Sequence, residues 1–186
     1  MKKFELTSEF ITNILGTKLF RIKALMEFGD VKAGDLGGYI EKEENLDHDG
    51  DAWVYGDAWV YGDARVYGDA RVYGDAEVCG NAWVYGDAEV YGDAEVYGDA
   101  EVYGNADYAY AHGFGSINRT TTFFRLKDGG VGVRCGCFYG TLQEFRDKVR
   151  KTHGDSAIAE EYLDLAALME KRFRRTANEQ KTEKES

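Results

Sequence analysis

Between Asp51 and Tyr108 small, apolar and polar positions follow one another with a period of six, in the order Gly-Asp-Ala-x-Val-Tyr. Valine recurs at Val54, Val60, Val66, Val72, Val78, Val84, Val90, Val96 and Val102, and Tyr108 closes the tenth unit. Outside the variable slot only Cys79, Asn81, Asn105 and Tyr108 depart from the pattern. Successive side chains of a strand point to opposite faces, so Ala52 and Val54 share one face and Trp53 and Tyr55 the other. A small residue beside a β-branched one suits a narrow interior. Gly56-Asp57 then turns a corner, where glycine accepts any dihedral and Asp or Asn tolerates the left-handed region better than other side chains. A repeat of this regularity predicts a parallel β-helix.

The flanks carry other periods. Phe20, Ile22 and Ala24 alternate with Arg21 and Lys23, which predicts a strand, and residues 31–40 read as a degenerate first coil. Leu46 and Val54 stand eight positions apart instead of six, so a two-residue insertion should bulge one corner. Residues 1–50 are therefore expected to form an N-terminal cap and first coil, covering the open strand edge and core that a solenoid otherwise exposes. The array is expected to occupy 51–112. Beyond it, Thr120–Leu126 and Val131–Phe138 flank the turn signal Lys127-Asp128-Gly129-Gly130 and predict a β-hairpin. Thr141 with Glu144 predicts a capped helix to about Lys151. Ile158, Tyr162, Leu165, Leu168, Met169 and Phe173 recur at helical spacing, predicting a second helix from Ser156 to about Arg174. This C-terminal unit is placed at 113–175, and the polar tail 176–186 is expected to be disordered.

Charge is unevenly spread. The chain carries a net −11. Residues 51–107 hold thirteen acidic and two basic side chains, whereas residues 108–186 hold eleven acidic and fourteen basic ones. An acidic solenoid repels nucleic acid and attracts basic surfaces or cations. The sequence shows no secretory signal and no long apolar run, which makes a soluble, cytoplasmic protein the expectation. Three cysteines do not make a disulfide framework. Cys79, at an outward slot, is expected to be an exposed thiol.

The array resembles the left-handed β-helices of the hexapeptide-repeat family, in which three repeats make one turn of a triangular coil. That resemblance implies a mainly β fold with a left-handed solenoid, stacking of residues eighteen apart at about 4.8 Å per coil, and side-by-side packing into a homotrimer. Three stretches together resemble hexapeptide-repeat proteins of bacteriophages and integrated elements. They are Leu19–Leu25 leading to Gly34-Asp35-Leu36-Gly37-Gly38-Tyr39-Ile40, then the Val-Tyr-Gly-Asp-Ala array, then Asp128-Gly129-Gly130 through Cys135-Gly136-Cys137-Phe138 to Thr152-His153-Gly154-Asp155. This second likeness implies an origin on a mobile element and, by association, a role in countering host defence.

Stacking at eighteen defines the candidate surfaces. The tyrosine columns are Tyr55/Tyr73/Tyr91, Tyr67/Tyr85/Tyr103 and Tyr61/Cys79/Tyr97. The variable slots align Trp53/Arg71/Glu89/Asp107, Trp59/Glu77/Glu95 and Arg65/Trp83/Glu101, with Arg71 able to pair with Glu89. Tyr55, Tyr73, Tyr91, Trp53, Trp59 and Trp83 are the expected oligomer interface, because aromatic stripes leave a large apolar area wet. The corner aspartates, such as Asp57/Asp75/Asp93, form acidic columns that read either as a solvated surface or as a mimic of nucleic-acid phosphates.

Chemistry is sparse. Cys135, Cys137 and His153 leave the usual four-ligand zinc set incomplete, and strand alternation reads both cysteines as buried core thiols. Arg119, Thr121, Arg125, Arg134 and His153 gather guanidinium, hydroxyl and imidazole groups in the C-terminal part, and Arg125 and Arg134 are expected to be cross-strand neighbours on the hairpin. Guanidiniums with hydroxyls suit phosphate recognition. Coenzyme A acyltransferases of the hexapeptide family use a histidine base beside a coil. No histidine lies between Asp51 and Tyr108, and His112 just past the repeats is the one candidate. The reading is a non-enzymatic protein without metal or cofactor that sequesters a phosphorylated small molecule, such as a signalling nucleotide. An acidic inhibitor of a host nucleic-acid-binding protein is the second reading and an acyltransferase the third.

Overall fold

The computed structural model describes residues 1–115 and 117–184, and side chains as far as Thr176. Two compact units divide the chain, Met1–Asn105 and Ala106–Ser186.

The first unit opens with β1 (Phe4–Thr12), β2 (Lys18–Ala24), β3 (Leu36–Ile40) and a 3-10 turn at Glu43–Asn45. Short strands follow wherever the variable residue meets valine: β4 (Trp53–Val54), β5 (Trp59–Val60), β6 (Arg65–Val66), β7 (Arg71–Val72), β8 (Glu77–Val78), β9 (Trp83–Val84), β10 (Glu89–Val90), β11 (Glu95–Val96) and β12 (Glu101–Val102). Strands β4 to β9 each pair in parallel with the strand three units on, as in Trp53↔Arg71↔Glu89 and Arg65↔Trp83↔Glu101. The result is a β-solenoid with eighteen residues per coil and three faces, β3-β5-β8-β11, β4-β7-β10 and β6-β9-β12. Every array alanine and valine from Ala52 to Val102 is buried. Each valine contributes roughly 1.5–3 kcal/mol relative to exposure.

At the corners labour is divided differently from the sequence reading. Glycine alone takes the left-handed conformation, for example Gly62 at φ +69. The only non-glycine with positive φ among the described residues is Asn118. The corner Asp or Asn serves as a hydrogen-bonding group between coils. Asp69 Oδ1 accepts from the Asp51 N–H at 3.3 Å, and Asn81 Nδ2 donates to Asp99 Oδ1 at 3.0 Å.

The N-terminal strands cap one face directly, since β1 and β2 extend it antiparallel through β3. The insertion is real: Ile40 pairs with Val60 and Leu46 with Val66, twenty residues on, whereas Val54 pairs with Val72, eighteen on. Side chains occupy two places where edge carbonyls face outward. Lys3 Nζ donates to the Gly50 and Ala52 carbonyls at 3.2 and 2.9 Å. The Asn45 amide donates to the Gly62 and Ala64 carbonyls at 3.1 and 2.9 Å.

The second unit is richer than the hairpin expected. Strands β13 (Tyr108–Phe114), β14 (Arg119–Arg125), β15 (Val131–Cys135) and β16 (Phe138–Thr141) form an antiparallel sheet in chain order. Tyr108 therefore opens this sheet and does not close the array. Helix α1 (Leu142–His153) starts on the expected capping box: the Glu144 N–H donates to Thr141 Oγ1, and Glu144 Oε2 accepts from the Thr141 N–H. Helix α2 (Ala157–Lys184) continues ten residues past Arg174, through most of the segment read as a disordered tail. Residues 185 and 186 lie outside the described ones. Both helices pack on one face of the sheet, where Phe123, Val133, Phe145, Tyr162 and Phe173 form the core.

Candidate functional site

Strand parity decides which donors of the second unit meet. Arg119, Thr121, Phe123 and Arg125 alternate onto one face of β14, and Phe123 belongs to the helix-covered core. Arg134 pairs with Thr122, and Arg125 pairs with Val131. The two arginines are therefore not cross-strand neighbours, and Arg134 lies on the face away from the helices. Arg125 has a structural role on α2. Its Nη2 donates to the Phe173 carbonyl and Thr176 Oγ1 at 3.1 and 3.0 Å, and its Nε lies 3.6 Å from Asp107 Oδ1. Thr121 is buried, with its hydroxyl donating to Cys135 Sγ at 3.2 Å.

Arg119 and His153 do come together. They border a cleft of about 240 Å³ between the end of the sheet and α1, with Lys148, Thr152 and Tyr162. Its apolar floor includes Phe138 and Phe145, whose rings meet at 5.6 Å. The described lining holds no carboxylate. Neither the Arg119 nor the Lys148 side chain makes a hydrogen bond or ion pair within the described residues. Gly136 makes room for Arg119: a Cβ there would overlap the guanidinium Nη1. The Cys135 thiol donates to the Tyr162 hydroxyl at 3.9 Å, and that hydroxyl donates to the Phe114 carbonyl at 3.5 Å. Burial, reinforced by Cys135 and opposed by Arg119, pushes the Tyr162 phenol up to about 12. Tyr162 is therefore a neutral donor at ordinary pH.

Lys148, Thr152 and Tyr162 were missed in the sequence. A signal was present, because Phe145, Lys148, Val149 and Thr152 follow the i, i+3, i+4, i+7 spacing of one helix face. Cys135, Cys137 and His153 all border the cleft, yet no group of three potential metal ligands gathers among the described residues. Cys137 is exposed, because β15 ends at Cys135 and Gly136 turns the chain, which corrects its reading as a buried thiol. His112 Nδ1 lies 2.8 Å from Thr120 Oγ1. Thr120 sits out of phase with Arg119 and Thr121, so this pair lies on the sheet face opposite the cleft.

The expected interface residues scatter on the first unit. Trp53 is 1% exposed: it packs edge-on against Phe4 at 6.2 Å and Phe28 at 5.3 Å, so the cap takes it out of any outer surface. The Tyr55 hydroxyl donates to Asp30 at 2.8 Å, and Arg71 pairs with that same aspartate at 3.4 Å. Tyr73 stacks on Tyr91 at 5.3 Å and Tyr67 on Tyr85 at 4.9 Å. Diagonal bonds join coils, with Tyr73 donating to Glu89, Tyr85 to Glu101 and Tyr61 to Glu77. Most array tyrosines are thus half-buried and hydrogen-bonded. Trp59 is half-buried, whereas Trp83 is 38% and Tyr91 41% exposed. Cys79, expected outside, is 3% exposed, because a side chain this small sits low in its column between larger tyrosines. The corner carboxylates remain on the surface, with Asp57 3.6 Å from Arg21.

Among known families, the model described as YdcK Beta solenoid repeat matches residues 64–80, a stretch shorter than one coil. The chain is similar there to that repeat, in keeping with the solenoid. No curated protein matches the chain. Among the described residues no helix is long and apolar enough to cross a membrane.

Proposed function

We propose that the protein is a non-enzymatic binding protein that holds a phosphorylated small molecule, nucleotide-like in having an aromatic part, in the cleft of the second unit. One observation carries this reading: Arg119 and Lys148, cations without an ion-pair partner among the described residues, border with His153 a cleft that has an aromatic floor and no carboxylate in its described lining. A guanidinium binds phosphate oxygens bidentately, an ammonium adds charge, and Thr152 and Tyr162 supply neutral donors. The C-terminal end of α1 carries partial negative charge, so anion recognition rests on side chains and not on a helix terminus. A cytoplasmic role in sequestering a signalling nucleotide, on behalf of a mobile element, fits such a site. The exposed Trp83 and Tyr91 are the part of the expected interface still available to a homotrimer.

Thermal shift against cyclic and linear nucleotides tests the site. A ligand at one hundred times its dissociation constant adds about 2.7 kcal/mol and raises the melting point by several degrees. Arg119→Gln should weaken binding about tenfold or more, as expected for a lost charge-assisted bond, with the ligand recovered unchanged. No shift with any phosphorylated compound rejects the reading.

A second reading, an acidic inhibitor of a nucleic-acid-binding protein, draws on the carboxylate column in which Glu77 pairs directly with Glu95. It predicts that binding of such a partner weakens with added salt and with neutralisation of Asp57, Asp75 and Asp93.

A further inference from the structure

The solenoid carries a second cavity, of about 530 Å³, within the first unit. It lies beside the ledge built by the 3-10 turn and the inserted corner, against the face that carries β6 and β9. The ledge is fixed from below: Asn45 holds the Gly62 and Ala64 carbonyls, and Lys42 Nζ reaches Asp63 Oδ1 at 2.9 Å. Leu46 and Val66 lie at its base, bridged in parallel. Tyr67 and Trp83 form an aromatic wall, edge to face at 6.3 Å, and Trp83 is exposed.

The charges around it are of both signs. Glu43 is already engaged by Lys2 at 2.6 Å and by His48 at 3.7 Å. Asp47 accepts one backbone N–H, from Asp49, and remains exposed. Glu44 on the ledge and Arg65 on β6 are both exposed, and neither side chain makes a hydrogen bond or ion pair within the described residues. A carboxylate and a guanidinium thus face one cavity without pairing with each other. Three carboxylates against one guanidinium do not suit an anion, and Arg65 at the wall does not suit a simple cation. Opposite charges held apart beside an aromatic wall suit a ligand with both charges and an apolar group.

We propose that this cavity binds a free α-amino acid with an apolar or aromatic side chain. Its carboxylate lies on Arg65, its ammonium group on Glu44 and Asp47, and its side chain against Trp83 and Tyr67. The guanidinium matches a carboxylate bidentately, and the ammonium group gains from the tyrosine face as well as from the carboxylates. This site is independent of the phosphate-binding reading, because it uses none of the same residues.

Titrating the full chain with phenylalanine and leucine, by calorimetry and by tryptophan emission, tests the proposal. Both should bind and perturb the emission, and Trp83→Phe should remove that signal, because Trp53 is buried under the cap, Trp59 lies on the face that carries β5, and only Trp83 lines the cavity. N-acetylphenylalanine, which lacks the cation, and phenylalanine amide, which lacks the anion, should each bind about tenfold or more weakly. Arg65→Gln and Glu44→Gln should show the same loss with an unchanged melting point. The blocked analogues decide the matter on wild-type protein should a variant fold poorly. No binding of either amino acid at about 10 mM, equal binding of the blocked analogues, or full binding by Arg65→Gln overturns the proposal. Binding of glycine betaine where phenylalanine fails overturns the amino-acid class.

Discussion

At Gly80 the backbone stands at φ +74, and a Cβ would approach the Gly98 backbone nitrogen to 2.8 Å. At Gly56 the conformation is similar, φ +58, but nothing lies within 4 Å of a Cβ. The two positions separate conformational strain from coil stacking. Left-handed backbone costs a non-glycine residue about 1–2 kcal/mol, so Gly56→Ala should show roughly that loss. Gly80→Ala should lose more, because the obstacle is backbone of the next coil and cannot swing away. Urea denaturation of both variants measures the difference, and equal losses would mean that stacking places no demand on the corner. At the same scale, the Lys3 ammonium shows how a buried charge is tolerated: two carbonyls receive it, the Phe28 ring covers it at 4.7 Å, and burial still lowers its pKa.

Among the elements, α1 matters most for the proposed phosphate cleft, since it presents Phe145, Lys148, Thr152 and His153 together. Its start depends on the reciprocal bonds of Thr141 and Glu144. Thr141→Ala should cost about 1 kcal/mol, seen as a lower melting point. Ligand affinity at a temperature where the chain is folded should hardly change, because no cleft residue is removed. This helix and its cap were legible in the sequence, as were the strands on either side of Lys127–Gly130, because short-range signals fix both. What was not legible is which faces meet. A one-residue change in register reverses a strand's faces, and the pairing of Arg125 with Val131 sends Arg134 away from Arg119. Trp53 looked outward for a similar reason: the repeat fixes its direction, but only the fold of residues 1–50 lays Phe4 and Phe28 over it. The solenoid itself was legible down to the eighteen-residue coil and the Leu46–Val54 insertion, since each depends on spacing alone. The hand of its coil came with the family likeness and not from the period.

For the molecule as a whole, the half-buried tyrosines set an alkaline limit on stability. Burial raises the phenols of Tyr55, Tyr61, Tyr67 and Tyr73, helped by Asp30 at Tyr55, by Cys79 and Glu77 at Tyr61, by Glu101 at Tyr67 and by Glu89 at Tyr73. A raised folded-state pKa contributes stability that is fully present below the unfolded value of about 10 and is lost as pH rises through the folded values. Lys3 acts in the opposite sense, since a lowered ammonium pKa makes stability rise with pH until the unfolded lysine also deprotonates. With these four phenols and that of Tyr162 against one lowered ammonium, stability should fall steeply above about pH 10. Tyrosinate absorbance should then rise together with the loss of β circular dichroism. Complete ionisation before unfolding would show that the hydrogen bonds between coils do not protect these groups.

The pairing of array strands at a spacing of three units also means that the three outer surfaces are interleaved in one stretch of sequence. Each surface is written on every third unit, so neighbouring strands on one surface are never successive units of the chain. Gain or loss of a single unit would reassign every later residue to the next surface, carrying the tryptophans, arginines and glutamates around the prism while leaving the alanine–valine interior unchanged. Gain or loss of three units would only alter the length. Growth by whole turns is therefore silent to whatever the surfaces recognise, and growth by single units is not.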